Sequence, residues 1–310
     1  MRIMGMTKKI YLAPMEGITG HIFRRAYHQK INGNIDKYFT PFISPNQNQC
    51  MSNRERKDIL PENNPGMNLV PQILTKDAGR FVDTAKELAE YGYREVNLNL
   101  GCPSGTVASK KKGAGMLSDL AFLEGFLDEI FEKTPIPISI KTRLGIASEA
   151  EWEPLFSLYC KYPVAELIVH ARLLNDFYSG GVRKDCFWKA CEKAPFPMVF
   201  NGDIFLAEDA MSEVGFEEGA IMLGRGVLQN PCLSLEIQGE KPVDLRGFHN
   251  QLLQDYREEM SGETPTLQKM KELWSHLILS YPDAKKEYKA IRKSKTIAEY
   301  ETAVARILGA

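Results

Sequence analysis

Short apolar runs, many of them β-branched, recur along the chain with amphipathic stretches between them. IYLAPM (10–15), DKYFTPFI (36–43), LVPQIL (69–74), REVNLNL (94–100), IPISIKTRL (136–144), ELIVHA (166–171), PMVFNGD (197–203) and GAIMLGR (219–225) each have the length of a strand. AGRFVDTAKELAEY (78–91), DLAFLEGFLDEIFEK (119–133) and EWEPLFSLYCKY (151–162) carry apolar residues at helical spacing. Strands alternating with helices predict parallel β/α units, and eight such units predict a TIM (β/α)8 barrel, where an open doubly wound sheet has more often five or six strands. Strand signals cease after PVDLRG (242–247), and three or four amphipathic helices follow. The expected organisation is a barrel over 1–241 and a small all-α helical domain over 242–310.

Period two then sorts side chains between the two faces of each strand. In the fourth strand Val96, Leu98 and Leu100 face the helices, so Asn97 and Asn99 face the lumen. In the fifth, Ile138 and Ile140 face outward and Ser139, Lys141 and Arg143 inward. Gln72, His170, the Asn201-Gly202-Asp203 turn and Gly224-Arg225-Gly226 lie at other strand ends, and Cys102 stands in a Gly-Cys-Pro turn beyond the fourth. Sites in this fold lie at the C-terminal ends of the strands, often with a phosphate beside the last two. The plain alternatives are an inert thiol, a hydrogen-bonded structural histidine and an ordinary Asn-Gly-Asp turn; shared position on one rim favours a ligand site.

Composition removes several function classes. The 310-residue chain has a formal net charge of -1, so it is not a uniformly basic nucleic-acid binder. Six cysteines without a C-x-x-C pair and five histidines without H-x-x-x-H spacing give no zinc motif, and the expectation is a reduced, metal-free, cytoplasmic protein. The start, MRIMGMTKKIYLAPM, has no signal-peptide apolar region, and no apolar run approaches the roughly 20 residues that span a bilayer. G-x-G-x-x-G after the first strand and G-x-x-x-x-G-K-[ST] are both missing, so FMN suits the site better than a Rossmann-bound dinucleotide or ATP. The segment AKKEYKAIRKSK (284–295) holds six basic residues against Glu287, and Lys110, Lys111 and Lys112 follow Cys102. Together they offer a path for a phosphate backbone, although a solvated helix face explains the first segment taken alone.

YLAPMEGITG (11–20), NLNLGCPSGTVASKKKGAGML (97–117), ISIKTRLG (138–145), ELIVHARLLNDFYSGG (166–181), FNGDI (200–204) and IMLGRGVLQNP (221–231) resemble, in order, the motifs of the tRNA-dihydrouridine synthases. The resemblance covers the barrel from end to end. It implies an FMN enzyme, reduced by NADPH with NADH as a possible substitute, that hydrogenates the C5–C6 bond of specific tRNA uridines. It places Pro14, Met15, Glu16, Gln72, Lys141 and His170 around the flavin ring, and Asn201, Gly202, Asp203, Gly224 and Arg225 on its ribityl and phosphate portion. Cys102 becomes the general acid at C5, with Asn99 and Arg143 on the substrate side. Neither a metal nor a protein partner is implied. Two residues depart from the family pattern: Gly20 where an Asp is usual, and Ala171 where HGR is usual. A flavin barrel acting on a small molecule and a tRNA-binding protein without catalysis are the competing readings.

Overall fold

The computed structural model describes residues 9–31, 34–211 and 219–309; the first eight residues, on which the signal-peptide reading partly rests, lie outside them. Among the described residues nine strands form one sheet: β1 (Lys9–Leu12), β2 (Lys37–Phe39), β3 (Leu69–Val70), β4 (Gln72–Ile73), β5 (Val96–Leu100), β6 (Ile138–Arg143), β7 (Leu167–His170), β8 (Met198–Asn201) and β9 (Ala220–Leu223). Every pairing is parallel, in the order β3-β2-β1-β9-β8-β7-β6-β5-β4.

The two ends of that order, β3 and β4, are consecutive in sequence and separated only by Pro71. Proline has no N–H to donate, so the stave is divided there. Its carbonyl still accepts from Asn97 N at 2.8 Å, and Thr40 joins the other side through Thr40 N to Val70 O at 3.2 Å and Gln72 N to Thr40 Oγ1 at 3.0 Å. The nine strands are therefore eight staves of a TIM barrel. Each is shorter than its apolar run, because the flanking residues turn into the connecting loops.

Alternation along the staves produces two cores. Val96, Leu98, Leu100, Ile138 and Ile140 belong to the large core between sheet and helices. Tyr11, Ala13, Phe39, Val70, Ile168, Val199, Ala220 and Met222 fill the lumen. Below them Lys37 Nζ contacts Glu95 at 2.7 Å and Glu166 at 2.9 Å, while Tyr11 Oη donates to Glu166 at 2.7 Å, so the N-terminal end is closed by ion pairs. Among the described residues, the C-terminal end is the one left for polar ligands.

The helices Leu245–Glu259, Glu263–Leu277, Lys285–Lys293 and Ile297–Leu308 follow the barrel. Their shared centre is Trp274, whose indole N–H donates to Tyr300 Oη at 2.8 Å, with His249 at 2.7 Å from the same oxygen. Phe248 meets Phe23 and Tyr27 edge-on, Arg25 pairs with Asp255 at 2.9 Å, and Lys269 Nζ donates to Gly17 O at 2.6 Å. These contacts seat the helical unit beside the first stave, against the turn at 14–17.

Candidate active site

A ladder of side-chain amides crosses the lumen above its apolar filling. Gln72 Nε2 donates to Asn97 Oδ1 at 2.8 Å, and Asn97 Nδ2 donates to Ser139 Oγ at 2.8 Å. Asn99 Nδ2 donates to Gln72 Oε1 at 2.6 Å. Buried amides without such partners would cost about 1–3 kcal/mol each, so the ladder explains why period two places them inside. Asn99 Oδ1 accepts from Gly101 N at 3.1 Å and Cys102 N at 2.9 Å. Asn99 thereby holds the Cys102 turn, and the second proton of its amide is left over.

The K-K-G-A-G segment supports that turn from outside. Ala114 N donates to Cys102 O at 3.2 Å. Gly113 has φ +56°, and a Cβ there would lie 3.0 Å from the same carbonyl; a Cβ at Gly115 would stand 2.4 Å from Ala108 O. Both positions need glycine because the backbones approach too closely for a side chain. Burial raises the Cys102 thiol above its ordinary pKa, against the opposing pull of the Ser104 amide, Arg143 and Lys141. The group is a thiol at neutral pH.

Cations converge opposite the amide ladder. Lys141 Nζ donates to Asn201 Oδ1 at 3.0 Å, and Asn201 Nδ2 donates to Met222 O at 2.8 Å. Burial, followed by the charge of Arg143, brings the Lys141 ammonium down to a pKa of about 7. Arg143 donates from Nε to Gly101 O at 2.9 Å and from Nη1 to Leu173 O at 2.8 Å; its Nη2 is buried with no hydrogen-bond partner among the described residues. Burial and the neighbouring cations Lys141, Arg143, Arg172 and Arg225 hold His170 neutral, well below the usual imidazole range.

Arg172, which sequence reasoning quoted within HAR without a role, is the buried centre of this side. Its guanidinium reaches Asp203 Oδ1 at 3.0 Å, His170 Nε2 at 3.3 Å and Gly180 O at 2.7 Å. Arg225 donates to Asp203 Oδ1 at 2.7 Å and lies between two rings, 4.7 Å from Tyr178 and 5.4 Å from Phe205. Tyr178 and Phe205 were also unassigned, since a loop aromatic gives no periodic signal. Gly202, at φ +143°, and Gly224 leave bare backbone beside these cations.

One cavity of about 380 Å3 opens at this end of the barrel. Pro14, Met15, Glu16, Gln72, Asn99, Cys102, Lys141, Arg143, His170, Asn201, Gly202, Asp203, Gly224 and Arg225 all border it, and Asn97 does not. The two departures from the family pattern fall outside it. Ala171 packs in the outer core. Gly20 N-caps the helix His21–Lys30, and Asp58 supplies the carboxylate: its Oδ1 accepts from His21 N at 2.5 Å while Oδ2 meets buried Arg24 at 3.1 Å.

An eight-stave parallel barrel that gathers a thiol, cations and bare glycine turns at one mouth has the fold and site placement of a TIM-barrel enzyme. Morphinone reductase superposes with a TM-score of 0.54 at 10% identity, covering 78% of this chain and 90% of that one. The old yellow enzyme homologue of Zymomonas mobilis gives 0.51 at 12%, covering 77% and 92%. At such identities the likeness is one of fold. The chain belongs to the dihydrouridine synthase family, whose model matches residues 11–306. The tRNA-dihydrouridine(16) synthase of Pseudomonas putida is 28% identical over 97% of this chain and 96% of its own length. The tRNA-dihydrouridine synthase B of Pasteurella multocida is 27% identical over 74% and 68%.

The protein is thus a flavin-dependent oxidoreductase, and the residues present fit that cofactor. The single-bonded Lys141 ammonium and the spare amide proton of Gln72 leave donors for ring carbonyls and nitrogens. Arg225 and the bare turns at Gly202 and Gly224 suit an anionic tail.

Proposed function

We propose that this enzyme reduces uridines of tRNA to 5,6-dihydrouridine, with FMN as its flavin and NADPH, or less favourably NADH, as reductant. The observation that carries the reading is Cys102: a partly buried, protonated thiol fixed by Asn99 at the mouth of the cation-lined cavity. When bound, the flavin supplies hydride to uracil C6. Cys102 Sγ then gives its proton to C5 from the opposite face of the base, which completes addition of two hydrogens across the double bond.

Pro14, Met15 and Glu16, with Gln72, Lys141 and His170, surround the ring; Asn201, Gly202, Asp203, Gly224 and Arg225 hold the ribityl and phosphate portion. Asn99, through its spare amide proton, and Arg143 face the uracil. Residues 242–310 form the RNA-binding domain, whose helix Lys285–Lys293 turns its basic residues outward and buries only Ile291. No helix among the described residues is long and apolar enough to cross a membrane, and we place the enzyme with its tRNA in the cytoplasm.

The test is incubation of the FMN-loaded protein with NADPH and tRNA lacking dihydrouridine, followed by mapping of reduced uridines. Position 16, which names the Pseudomonas putida relative, is the first to read. Dihydrouridine appearing in no tRNA would reject this function, and turnover of only small enones or free pyrimidines would replace it.

A further inference from the structure

Three neighbouring cavities, each sharing lining residues with the next, form a row that makes a trough. The cavity beside Cys102 shares Glu16, Pro41 and Phe42 with a second, of about 500 Å3, in the cleft between barrel and helical unit. That second cavity shares Met260 and Lys269 with a third, of about 700 Å3, which runs along the helices Glu263–Leu277 and Lys285–Lys293 to Tyr288 and Arg292. A volume of this size at a domain interface is a usual place for a ligand.

The second cavity offers acceptor and donor side by side. Glu16 and Arg54 meet at 3.3 Å on its rim, with Arg54 75% exposed, and Glu16 Oε2 has no hydrogen-bond partner among the described residues. The other charges are already matched: Lys57 with Glu259, Asp58 with Arg24, Lys269 with Glu272 and Gly17 O. A phosphate, which only accepts, would find no surplus cation here and several carboxylates. A nucleobase edge places N–H donors beside acceptors and matches the Glu16–Arg54 pair, while Phe42 and Met260 offer apolar surface to its faces.

Chemistry on a base requires the nucleotide to leave its stack, which also unstacks the neighbour. We propose that the interdomain cavity holds the nucleobase adjacent to the target uridine, and that the RNA strand continues along the trough past Tyr288 and Arg292. This rests on the reading that the substrate is tRNA. The identity of the neighbouring base, read at Glu16 and Arg54, then helps to decide which uridine is chosen.

Arg54→Ala removes the donor, and Met260→Trp fills the cavity; both are assayed as FMN-loaded enzyme. Each should raise KM for tRNA roughly tenfold, the scale of one lost hydrogen bond to a charged group, and leave NADPH-driven flavin reduction unchanged. A tRNA made abasic immediately 5′ or 3′ of the target should show a similar loss with the wild type and no further loss with Arg54→Ala. Wild-type KM in both variants, losses that multiply on both abasic tRNAs, or a changed KM for NADPH instead would each overturn the subsite. Wild-type enzyme that makes no dihydrouridine rejects the underlying function instead.

Discussion

Nη1 of Arg172 lies 3.3 Å from Nε2 of His170. A guanidinium can only donate, so Nε2 must accept, and the single proton of this neutral ring is on Nδ1. His170 therefore carries its one N–H donor on Nδ1, and the cations around it keep the ring from charging. Nitrogen-resolved NMR of selectively labelled histidine should show His170 as the Nδ1–H tautomer, unprotonated at Nε2 and unchanged down to pH 6. A proton on Nε2 in the flavin-free protein would exclude this arrangement.

Asp58 replaces the carboxylate that Gly20 lacks, from 38 residues further along the chain. A Cβ at Gly20 would lie 3.1 Å from Asp58 Oδ1, so one carboxylate excludes the other. Asp58→Ala leaves Arg24 buried without its counter-ion and should cost about 3–5 kcal/mol. Gly20→Asp should destabilise the wild type by about 1–3 kcal/mol through crowding and charge repulsion, yet stabilise the Asp58→Ala protein. Urea unfolding of the four proteins checks the change of sign; two additive losses would refute it.

Such compensation was not legible in the sequence, and the reason is physical. Period-two alternation reports which face of a stave a residue occupies, which assigned Asn99, Lys141 and Arg143, and position at a strand end added Gln72, His170 and Asn201 to the same mouth. Contacts made by loops and distant helices carry no period. Asp58 reaches His21 only because the helix Asn53–Ile59 folds back, and Arg172 reaches Asp203 from just beyond a strand end. The division of the third stave at Pro71 was likewise hidden, since Leu69 to Ile73 reads as one apolar run.

Cys102 gives the sharpest separation of roles. Cys102→Ala should bind flavin and be reduced by NADPH as the wild type is, because the thiol is distant in function from both steps. Oxidation of the reduced enzyme by tRNA, followed in a single turnover, should slow by about 100- to 10,000-fold, the range for loss of a positioned general acid. A normal single-turnover rate in this variant would move the proton donor elsewhere.

Lys141 imposes a pH dependence on the flavin-free protein. Its pKa is about 7 when folded and near the ordinary 10.5 when unfolded, so between those values the unfolded chain binds more protons. Stability must then rise with pH across that window, because the cost of burying the ammonium disappears as the folded group loses its proton. Below pH 7 both states are protonated and the full cost remains. Lys141→Met should be more stable than the wild type near pH 7, with the difference shrinking toward pH 10. Bound flavin offers acceptors to the ammonium and should flatten the wild-type slope. Thermal unfolding of both proteins from pH 7 to 10 decides the matter: parallel curves would show that Lys141 is solvated and keeps its charge.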